Sequence, residues 1–434
     1  MNAPKRVLND LLGLALELFM SLRFAIFLLL LTAALAGLSA FVYRRVTTTF
    51  ELSRRSRIGI GFVLVSGVVL LFAGRIFARV LGDGMAAVTG ALGGTIMIAV
   101  IVTAVGLMIE RTAAGMVRAG AAVPKLLQRT SESESESESE SESESESESE
   151  SESEPTLGRR ELVTRVAVGA AVGVGVGSAL YGTLFGRHDY ALEEVPIRLS
   201  ALPPSLDGFS IVQLSDLHLG AYVGEPEVRA ALELVARAKP DLIVLTGDLL
   251  DHDYRYAELL GSMARRLGER AQVVAIAGNH DYYAGLGPTL SALKRAGAEV
   301  LVNRAITIGD SGGRFTLAGV DDMWAKRFGK LRGPNVQAAL LGRDPELAKV
   351  LLCHNPAYFP EASPHVDLQL SGHTHGGQFN LGIRPADYVL PFGYVAGRYQ
   401  RGAGQLYVNR GFGTAGPPAR LGAAPEVTKI ILTV

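Results

Sequence analysis

The chain has 434 residues, of which 48% are hydrophobic, and a formal net charge of −1. Its mean hydropathy of +0.25 is too high for an ordinary soluble enzyme, and the apolar excess lies before residue 190. The single cysteine excludes a disulfide within the chain, so an exported domain must be stabilised by its hydrophobic core. The composition therefore predicts a membrane region followed by a less apolar domain.

Three apolar runs near the N-terminus are each close to the ~20 residues that a membrane-spanning helix needs. They extend from Phe19 to Tyr43, from Ile58 to Phe77 and from Met85 to Ile109. Residues 1–130 are therefore predicted to be a membrane region with three transmembrane helices.

Residues 131–154 are twelve Ser-Glu repeats without any apolar side chain. Such a tract has nothing to bury and repels itself, which predicts a disordered linker over residues 131–158. Without this tract the chain would be net positive, as suits a protein that works beside anionic lipid. A tolerated repeat expansion explains the tract more simply than a binding role does.

A fourth apolar stretch, Val166 to Phe185, is rich in glycine, alanine and valine and follows Arg159 and Arg160. Residues 159–187 are compatible with a transmembrane anchor, and also with an internal signal that resembles the twin-arginine export type. The sequence leaves both interpretations open, and with them whether the segment is cleaved.

The distribution of basic residues predicts an orientation, because lysines and arginines in short loops mark the cytoplasmic side. Arginines are frequent after the first span and between the third and fourth, whereas the loop after the second span carries only Arg79. With four spans, the N-terminus and the C-terminal domain both face the extracytoplasmic side, although Lys5 and Arg6 weakly favour the reverse. The chain is expected to be a multi-pass protein of the inner cell membrane.

Residues 188–434 alternate predicted strands with amphipathic helices, the pattern of an α/β domain that is large enough to bury its own core. Five apolar runs have the length of buried strands: residues 209–214, 241–246, 273–277, 350–352 and 366–370. Helices are predicted at residues 226–238, 254–267 and 288–295. Further strands are expected near residues 298, 316, 405 and 428.

A polar motif follows each of the five predicted buried strands. In chain order these are Asp216-Leu217-His218, Gly247-Asp248, Gly278-Asn279-His280-Asp281, His354 and Gly372-His373-Thr374-His375. Ligands of open α/β sheets collect beyond the carboxyl ends of strands, so five strand ends can deliver these side chains to one place. Each motif alone is weak, but the ordered set holds five of the eight histidines. Oxygen and imidazole donors in this number suit two cations about 3.5–4 Å apart, which can clamp a phosphoryl group.

The ordered motifs are DxH, GD, GNH[DE], H and GHxH, and over residues 205–434 the chain resembles the calcineurin-like metallophosphoesterases. The tail from Leu406 to Gly416 resembles the bacterial membrane-associated branch of that family. The resemblance implies an α/β fold, a four-layer α-β-β-α sandwich, which here is preceded by an all-α transmembrane region. Residues 188–434 would be the catalytic domain.

The resemblance also implies a set of metal ligands and catalytic residues. Asp216, His218 and His375 would hold a first divalent ion, Asn279, His354 and His373 a second, and Asp248 would bridge both together with a water or hydroxide. His280 would stabilise or protonate the leaving oxygen, and Asp281 would orient it. Nitrogen and oxygen ligands without a thiolate suit manganese, iron or zinc, and do not identify which of them binds.

Four residues near the motifs have less defined roles. Asp251 and His252 are expected to support the ligands or face solvent rather than bind metal. Cys353 is expected to pack as a small hydrophobic residue without a catalytic role. Arg410 is compatible with contact to a substrate phosphate and with a buried structural ion pair.

The resemblance implies a membrane-anchored metal-dependent phosphoesterase, in which a metal-bridging hydroxide attacks a phosphomonoester or phosphodiester. Membrane tethering suggests a phosphorylated lipid or cell-envelope component as substrate, with membrane lipids as partners. A non-catalytic sensor or binding module for phosphate ligands is the alternative, and the presence of Asp248 argues against it. A nuclease is a minor alternative, since no basic stripe with interleaved aromatic residues suggests a nucleic-acid partner.

Overall fold

The computed structural model describes residues 3–76, 82–132, 158–328, 333–390 and 393–434. Residues 133–157, which make up most of the predicted Ser-Glu linker, lie outside the described residues. The chain divides into two compact units. The first consists of the residues up to Phe72 together with Thr95–Ala179, and the second of Ala73–Gly94 together with Leu180–Val434.

Four long helices occupy the N-terminal region. They are α1 (Ala3–Thr49), α2 (Arg54–Ile76), α3 (Asp83–Glu132) and α4 (Arg159–Leu184). The first three each contain a segment long and apolar enough to cross a membrane, Ile26–Thr49, Arg54–Ala73 and Asp83–Val117, and α4 makes up most of a fourth, Arg159–His188. A helix satisfies its own backbone hydrogen bonds, so it is the form in which such segments are stable in lipid. The expected all-α apolar region is thus confirmed.

The first unit has a small core of its own. Leu35, Val42, Leu107 and Val168 are buried together in it. Arg45 and Glu110 form an ion pair in the same unit, in which Nη2 of Arg45 lies 2.8 Å from each carboxylate oxygen of Glu110.

Among the described residues, the second unit contains twelve strands. These are β1 (Ala191–Arg198), β2 (Ser210–Leu214), β3 (Leu242–Thr246), β4 (Gln272–Ile276), β5 (Glu299–Val300), β6 (Arg304–Asp310), β7 (Gly313–Gly319), β8 (Lys349–Leu352), β9 (Leu368–Ser371), β10 (Gly397–Arg401), β11 (Gly404–Val408) and β12 (Glu426–Thr433). Its remaining helices are α5 (Glu225–Ala238), α6 (Ala257–Gly268), α7 (Asn279–Ala284), α8 (Leu286–Arg295), α9 (Val336–Leu340), α10 (Phe359–Ala362) and α11 (Ala386–Val389).

The strands form two six-stranded mixed sheets. Their orders are β1-β12-β2-β3-β4-β5 and β10-β11-β9-β8-β7-β6. In the first sheet β2 to β5 run parallel, and β12 pairs antiparallel with β2. In the second sheet β7, β8, β9 and β11 run parallel, and β6 and β10 are antiparallel edge strands.

The two sheets pack face to face and carry helices on their outer faces. One apolar cluster lies between the sheets and includes Ile211 and Val244 of the first sheet with Leu317 and Leu370 of the second. A second cluster joins the first sheet to α5, α6 and α8, and a third joins the second sheet to α9 and α10. The four-layer α-β-β-α architecture expected from the resemblance is therefore confirmed.

The sequence of α5 shows why this layer forms. Val228, Leu232 and Val235 recur at helical spacing and are buried on one face. At the beginning of the helix the side chain of Glu227 accepts a hydrogen bond of 2.8 Å from the backbone N–H of Gly224. At its end Lys239 adopts a left-handed conformation, which turns the chain back toward β3.

Ends of three long helices, α2, α3 and α4, belong to the second unit, and those of α3 and α4 form hydrogen bonds with its loops. Oδ1 of Asp83, in the first turn of α3, lies 3.1 Å from Nη2 of Arg255. In the last turn of α4, the carbonyl of Gly182 accepts a 3.1 Å hydrogen bond from the backbone N–H of Arg420. Both helix ends therefore contact loops of the sheet domain.

Candidate metal centre

The five polar motifs lie directly after β2, β3, β4, β8 and β9. The first three of these strands are parallel neighbours in one sheet, and the last two are parallel neighbours in the other. Their carboxyl ends meet where the two sheets face each other, so the loops that follow deliver polar side chains to one region.

The first group of candidate ligands consists of Asp216, His218 and His375. One donor atom from each lies within 4.8 Å of the others, and all three residues are buried. Nε2 of His375 is 3.0 Å from Nε2 of His218 and 3.4 Å from Oδ1 of Asp216. The structure thus brings together the three residues predicted to hold the first metal.

The second group consists of Asp248, His354 and His373, with donor atoms again within 4.8 Å of one another. Nε2 of His354 lies 3.2 Å from Oδ2 of Asp248 and 3.1 Å from Nδ1 of His373. Asn279 follows β4 at the beginning of α7, and its Oδ1 is buried without a hydrogen-bond partner among the described residues. An unpaired buried amide oxygen is an atom that a bound cation would satisfy.

Asp248 reaches both groups. Its Oδ2 is 3.2 Å from Nε2 of His354 and 3.7 Å from Nε2 of His218. Its Oδ1 accepts a hydrogen bond of 2.8 Å from the backbone N–H of His280, which fixes the carboxylate between the two groups. This is the placement that a bridging ligand requires.

The backbone at the candidate ligands is unusual. Five of them have φ between 48° and 74°, in the left-handed region that few residues other than glycine adopt: Asp216, His218, Asp248, His373 and His375. Such strained residues cluster at functional sites. Glycines provide the necessary space, because a Cβ at Gly278 would collide with Asp248 and one at Gly372 with Asp216.

The charge balance of the site favours bound cations. Burial and the neighbouring His354 lower the pKa of His373 to about 3, and burial with the charges of His218 and Arg420 holds the pKa of His375 well below its usual value. These rings are therefore neutral, as metal-binding imidazoles must be. Burial also lowers the pKa of His354, but the carboxylate of Asp248 outweighs it and raises this pKa well above the usual value. The carboxylates thus attract positive charge.

The donor set fits two divalent ions. It provides carboxylates, neutral imidazoles and one amide oxygen without a thiolate, and a single carboxylate reaches both positions. Nδ1 of His354 lies 2.9 Å from the carbonyl of Thr246, so that nitrogen donates and Nε2 is left to bind a cation. Manganese, iron and zinc are all compatible with these ligands.

The orientation of His280 differs from the prediction. Its Nδ1 lies 3.0 Å from the backbone carbonyl of Asp251 and 3.4 Å from Oδ1 of the same residue. The Asp251 carboxylate also lies 3.5 Å from Nδ1 of His218 and 2.6 Å from Nδ1 of His252. Asp251 therefore contacts the imidazoles of both a candidate ligand and the candidate acid.

Asp281 was expected to orient His280, but its side chain forms hydrogen bonds with backbone N–H groups. Its carboxylate accepts hydrogen bonds of 3.0 Å from the N–H groups of Leu249 and Leu250, and one of 2.8 Å from Gly278. Burial and the nearby Asp248 raise its pKa to about 7. Among the described residues no hydrogen bond joins this carboxylate to the ring of His280, because Asp281 lies on the first turn of α7 with its side chain turned toward the preceding loops.

Two charged residues beside the site were not singled out from the sequence. Arg420 is 1% exposed, and its Nη2 lies 3.2 Å from Nδ1 of His375. Its guanidinium also donates to the carbonyls of Arg410, Gly411, Gly413 and Ala423. No motif signals a buried arginine of this kind.

Asp322 is the second residue that was missed. It is 2% exposed, and burial raises its pKa to about 6. Its negative charge contributes to the raised pKa of His354. Asp321 and Asp322 follow β7 as the motifs follow the other strands, and this placement is the signal that could have identified them.

The remaining candidates lie at the margin of the site. Arg410 pairs with Glu426 at 3.0 Å and with Glu193 at 2.7 Å, which supports the structural ion pair rather than a phosphate contact. Cys353 is buried, with its Sγ 3.4 Å from the carbonyl of Asn355. The side chain of His252 is half-exposed.

Comparisons with known proteins agree with this geometry. Residues 209–377 match the profile of the calcineurin-like phosphoesterases. Over 277 residues the chain is 34% identical to the uncharacterized metallophosphoesterase YkuE of Bacillus subtilis, covering 62% of this chain and 93% of that protein. It is 34% identical over 263 residues to the phosphodiesterase YaeI of Escherichia coli, covering 57% and 92%. It is also 33% identical over 287 residues to a Bos taurus transmembrane protein with a metallophosphoesterase domain, covering 63% of each.

Fold, clustered ligands and matches together define a metal-dependent hydrolase of phosphoric esters that is associated with a membrane. The chain belongs to the calcineurin-like metallophosphoesterase family.

Proposed function

We propose that the protein is a membrane-anchored phosphoesterase with a dinuclear metal centre, and that it hydrolyses a phosphomonoester or phosphodiester of a lipid or cell-envelope component. The observation that carries this proposal is the position of Asp248 between the two ligand groups. One carboxylate that reaches both groups is what a pair of closely spaced ions needs.

The proposed ligand assignment is the one that the family resemblance implies, and the two clusters of donor atoms support it. Asp216, His218 and His375 would hold the first ion, Asn279, His354 and His373 would hold the second, and Asp248 would be shared by both. Two divalent ions bound there would polarise the phosphoryl oxygens and lower the pKa of a water molecule.

His280 is the proposed general acid. Its Nδ1 is directed at the carbonyl of Asp251, so this nitrogen carries a proton and the ring is held by the loop after β3. Nε2 is then the nitrogen that can serve a leaving oxygen. Because Asp251 contacts His218 as well as His280, it fixes the position of His280 relative to the first ligand group.

The proposed location is the inner membrane, with four crossings and the sheet domain on the extracytoplasmic side. The second unit supports one part of this proposal. Its loops contact both the beginning of α3 and the end of α4, as expected if those two helix ends lie on the same side of the bilayer as the sheet domain. Which side that is follows from the arginine distribution alone.

The test of the enzymatic proposal uses the full chain in detergent micelles with a chromogenic phosphodiester and added manganese. Asp248→Asn should lower turnover by more than about 100-fold, because loss of an outer partner alone costs about 10–100-fold. His365→Ala is the matched control, since His365 lies outside the motifs and pairs with Gln337. Absence of turnover by the unmodified chain with manganese, iron and zinc would favour the binding module.

The substrate class needs a separate measurement. Release of phosphate from phospholipids and lipid-linked headgroups should be compared with release from soluble nucleotides. Cleavage of nucleotides without cleavage of any lipid would contradict the lipid part of the proposal and leave the phosphoesterase part intact.

A further inference from the structure

The segment from Asn380 to Leu390, which includes α11, exposes apolar side chains next to the metal centre. Leu381 is 45% exposed, Ile383 65%, Tyr388 83% and Val389 76%. Four large apolar side chains exposed within nine residues form a patch of the kind that marks a binding surface.

We call this segment the 380–390 loop. Its first residue, Asn380, is hydrogen-bonded to residues 421–422. The backbone N–H of Asn380 donates a 2.7 Å hydrogen bond to the carbonyl of Leu421, and the Asn380 side chain donates to the carbonyl of Gly422. Leu421 in turn donates to the carbonyl of Gln378. The loop therefore starts at a fixed position.

The same short stretch of chain holds the end of α4. Arg420 donates to the carbonyl of Gly182, and a Cβ at Gly186 would collide with the carbonyl of Arg420. The absence of a side chain at Gly186 thus allows a direct backbone contact. Arg420, which contacts the last turn of α4, directly precedes Leu421, which holds the start of the 380–390 loop. The end of α4 and the start of the loop are therefore held by adjacent residues, and α4 is apolar enough to span a membrane.

A spanning helix ends where the hydrocarbon of the bilayer ends, so a loop rooted beside that end lies at the depth of the lipid headgroups. The composition of the loop suits this depth. Tyrosine and aliphatic residues are favoured at membrane interfaces. Its two charged residues, Arg384 and Asp387, form an ion pair of 2.8 Å with each other, so neither charge would enter the interface unpaired.

We propose that the 380–390 loop docks into the bilayer surface, with Ile383, Tyr388 and Val389 inserted at the boundary between headgroups and acyl chains. The loop begins a few residues after His375, so docking places the metal centre next to the lipid headgroups. This inference rests on the proposed crossing of the bilayer by α4. It does not depend on which ester is hydrolysed.

The test measures the surroundings of single labelled positions in the full chain in phosphatidylcholine–phosphatidylglycerol nanodiscs. The only native thiol, Cys353, is 1% exposed, so an added surface cysteine can be labelled selectively with an environment-sensitive fluorophore. Tyr388→Cys reports on the loop. Leu341→Cys is the matched control, because Leu341 is 84% exposed at the end of α9, and Val174→Cys reports on α4.

The probe at position 388 should show blue-shifted emission and quenching by nitroxide-labelled lipids, as should the probe at position 174. The probe at position 341 should be quenched by aqueous iodide only. Ile383→Cys provides a second loop position in case Tyr388→Cys disturbs the fold.

If both loop probes behave like the control while the α4 probe is quenched by lipid, the docking proposal is wrong and the crossing by α4 stands. A loop probe that is shielded from both quenchers would instead indicate a protein partner, which also overturns the proposal. If the α4 probe is not quenched by lipid, the crossing fails and the docking proposal fails with it. Turnover of a soluble chromogenic ester by the same samples tests the proposed enzymatic function independently.

Discussion

The two ligand groups contain similar donors but differ in the charges around them. The first group lies between the buried guanidinium of Arg420, 3.2 Å from Nδ1 of His375, and the carboxylate of Asp251, 3.5 Å from Nδ1 of His218. The second group lies near the buried carboxyl of Asp322, whose charge acts on His354, and no cation comparable to Arg420 is described beside it. A divalent ion is repelled by Arg420 and attracted by the carboxylates, so the charges beside the second group favour it more. Two positions with similar ligands therefore need not bind metal equally well.

Removal and return of metal gives the largest expected effect. Chelation should abolish turnover, and manganese added back should bind in two steps, with the tighter step at the second group because of the charge of Asp322. Calorimetric titration of the metal-depleted chain measures both steps. His373→Ala should remove the tighter step and His375→Ala the weaker one. A single step with equal affinities would contradict the difference between the groups.

Replacing the buried arginine should affect stability strongly. Arg420→Met leaves the carbonyls of Arg410, Gly411 and Gly413 without their donor, and a buried acceptor left unsatisfied costs about 1–3 kcal/mol. Denaturant unfolding of the full chain in micelles measures the loss. Arg420→Lys should recover only part of it, because an ammonium cannot reproduce the planar set of donors. Unchanged stability in Arg420→Met would show that the carbonyls find other donors.

Loss of Asp251 should affect turnover more than substrate binding. Asp251→Asn removes the charge that holds the rings of His218 and His280, and loss of such an outer partner costs about 10–100-fold. The expected result is a lower kcat with little change in KM for a soluble ester. Asp253→Asn is the control, since that carboxylate pairs with the exposed Arg255. An equal fall for both variants would indicate a general effect on the loop rather than positioning of His280.

The smallest expected effect is on manganese affinity at the second ligand group, when the charge of Asp322 is removed. Asp322→Asn keeps the shape of the side chain and removes its charge, so the tighter manganese step should weaken by about tenfold or less, a loss of about 1.4 kcal/mol or less. The weaker step should not change. Asp344→Asn, at an exposed position, controls for the loss of one negative charge. Weakening of both steps to the same extent would mean that the charge of Asp322 is not specific to the second group.

The parts of the site that follow strands were predictable from the sequence, and the parts held by packing were not. Asp216 and His373 come directly after runs of buried strand residues, so their convergence follows from parallel strand order. Arg420 lies in a loop without any motif, and only the folded chain shows that it is buried against His375. The family resemblance likewise implied Asp281 as the residue that orients His280, but the contact to the ring is made by Asp251, from a different loop.

The secondary-structure elements also divide into those that were predictable from the sequence and those that were not. The strand predicted at residues 241–246 is β3, Leu242–Thr246, because a continuous apolar run between polar residues has few alternatives. The helix predicted to begin at residue 254 begins at Ala257, since Asp253 caps a separate short turn over Tyr254–Tyr256. The edge strands β6 and β10 were not predicted, because an edge strand with polar faces lacks the apolar pattern of a buried one.

The left-handed backbone at five candidate ligands limits how the site can evolve. Asparagine, aspartate and histidine tolerate this conformation better than other residues with a side chain, and they are also the residue types proposed as metal ligands here. A change to glutamate or cysteine at Asp216 or His375 would strain the left-handed main chain and would also alter the coordination geometry. Adaptation to a different metal is therefore more accessible through a neighbour such as Asp322, where the main chain is not left-handed and the expected effect of a substitution is small.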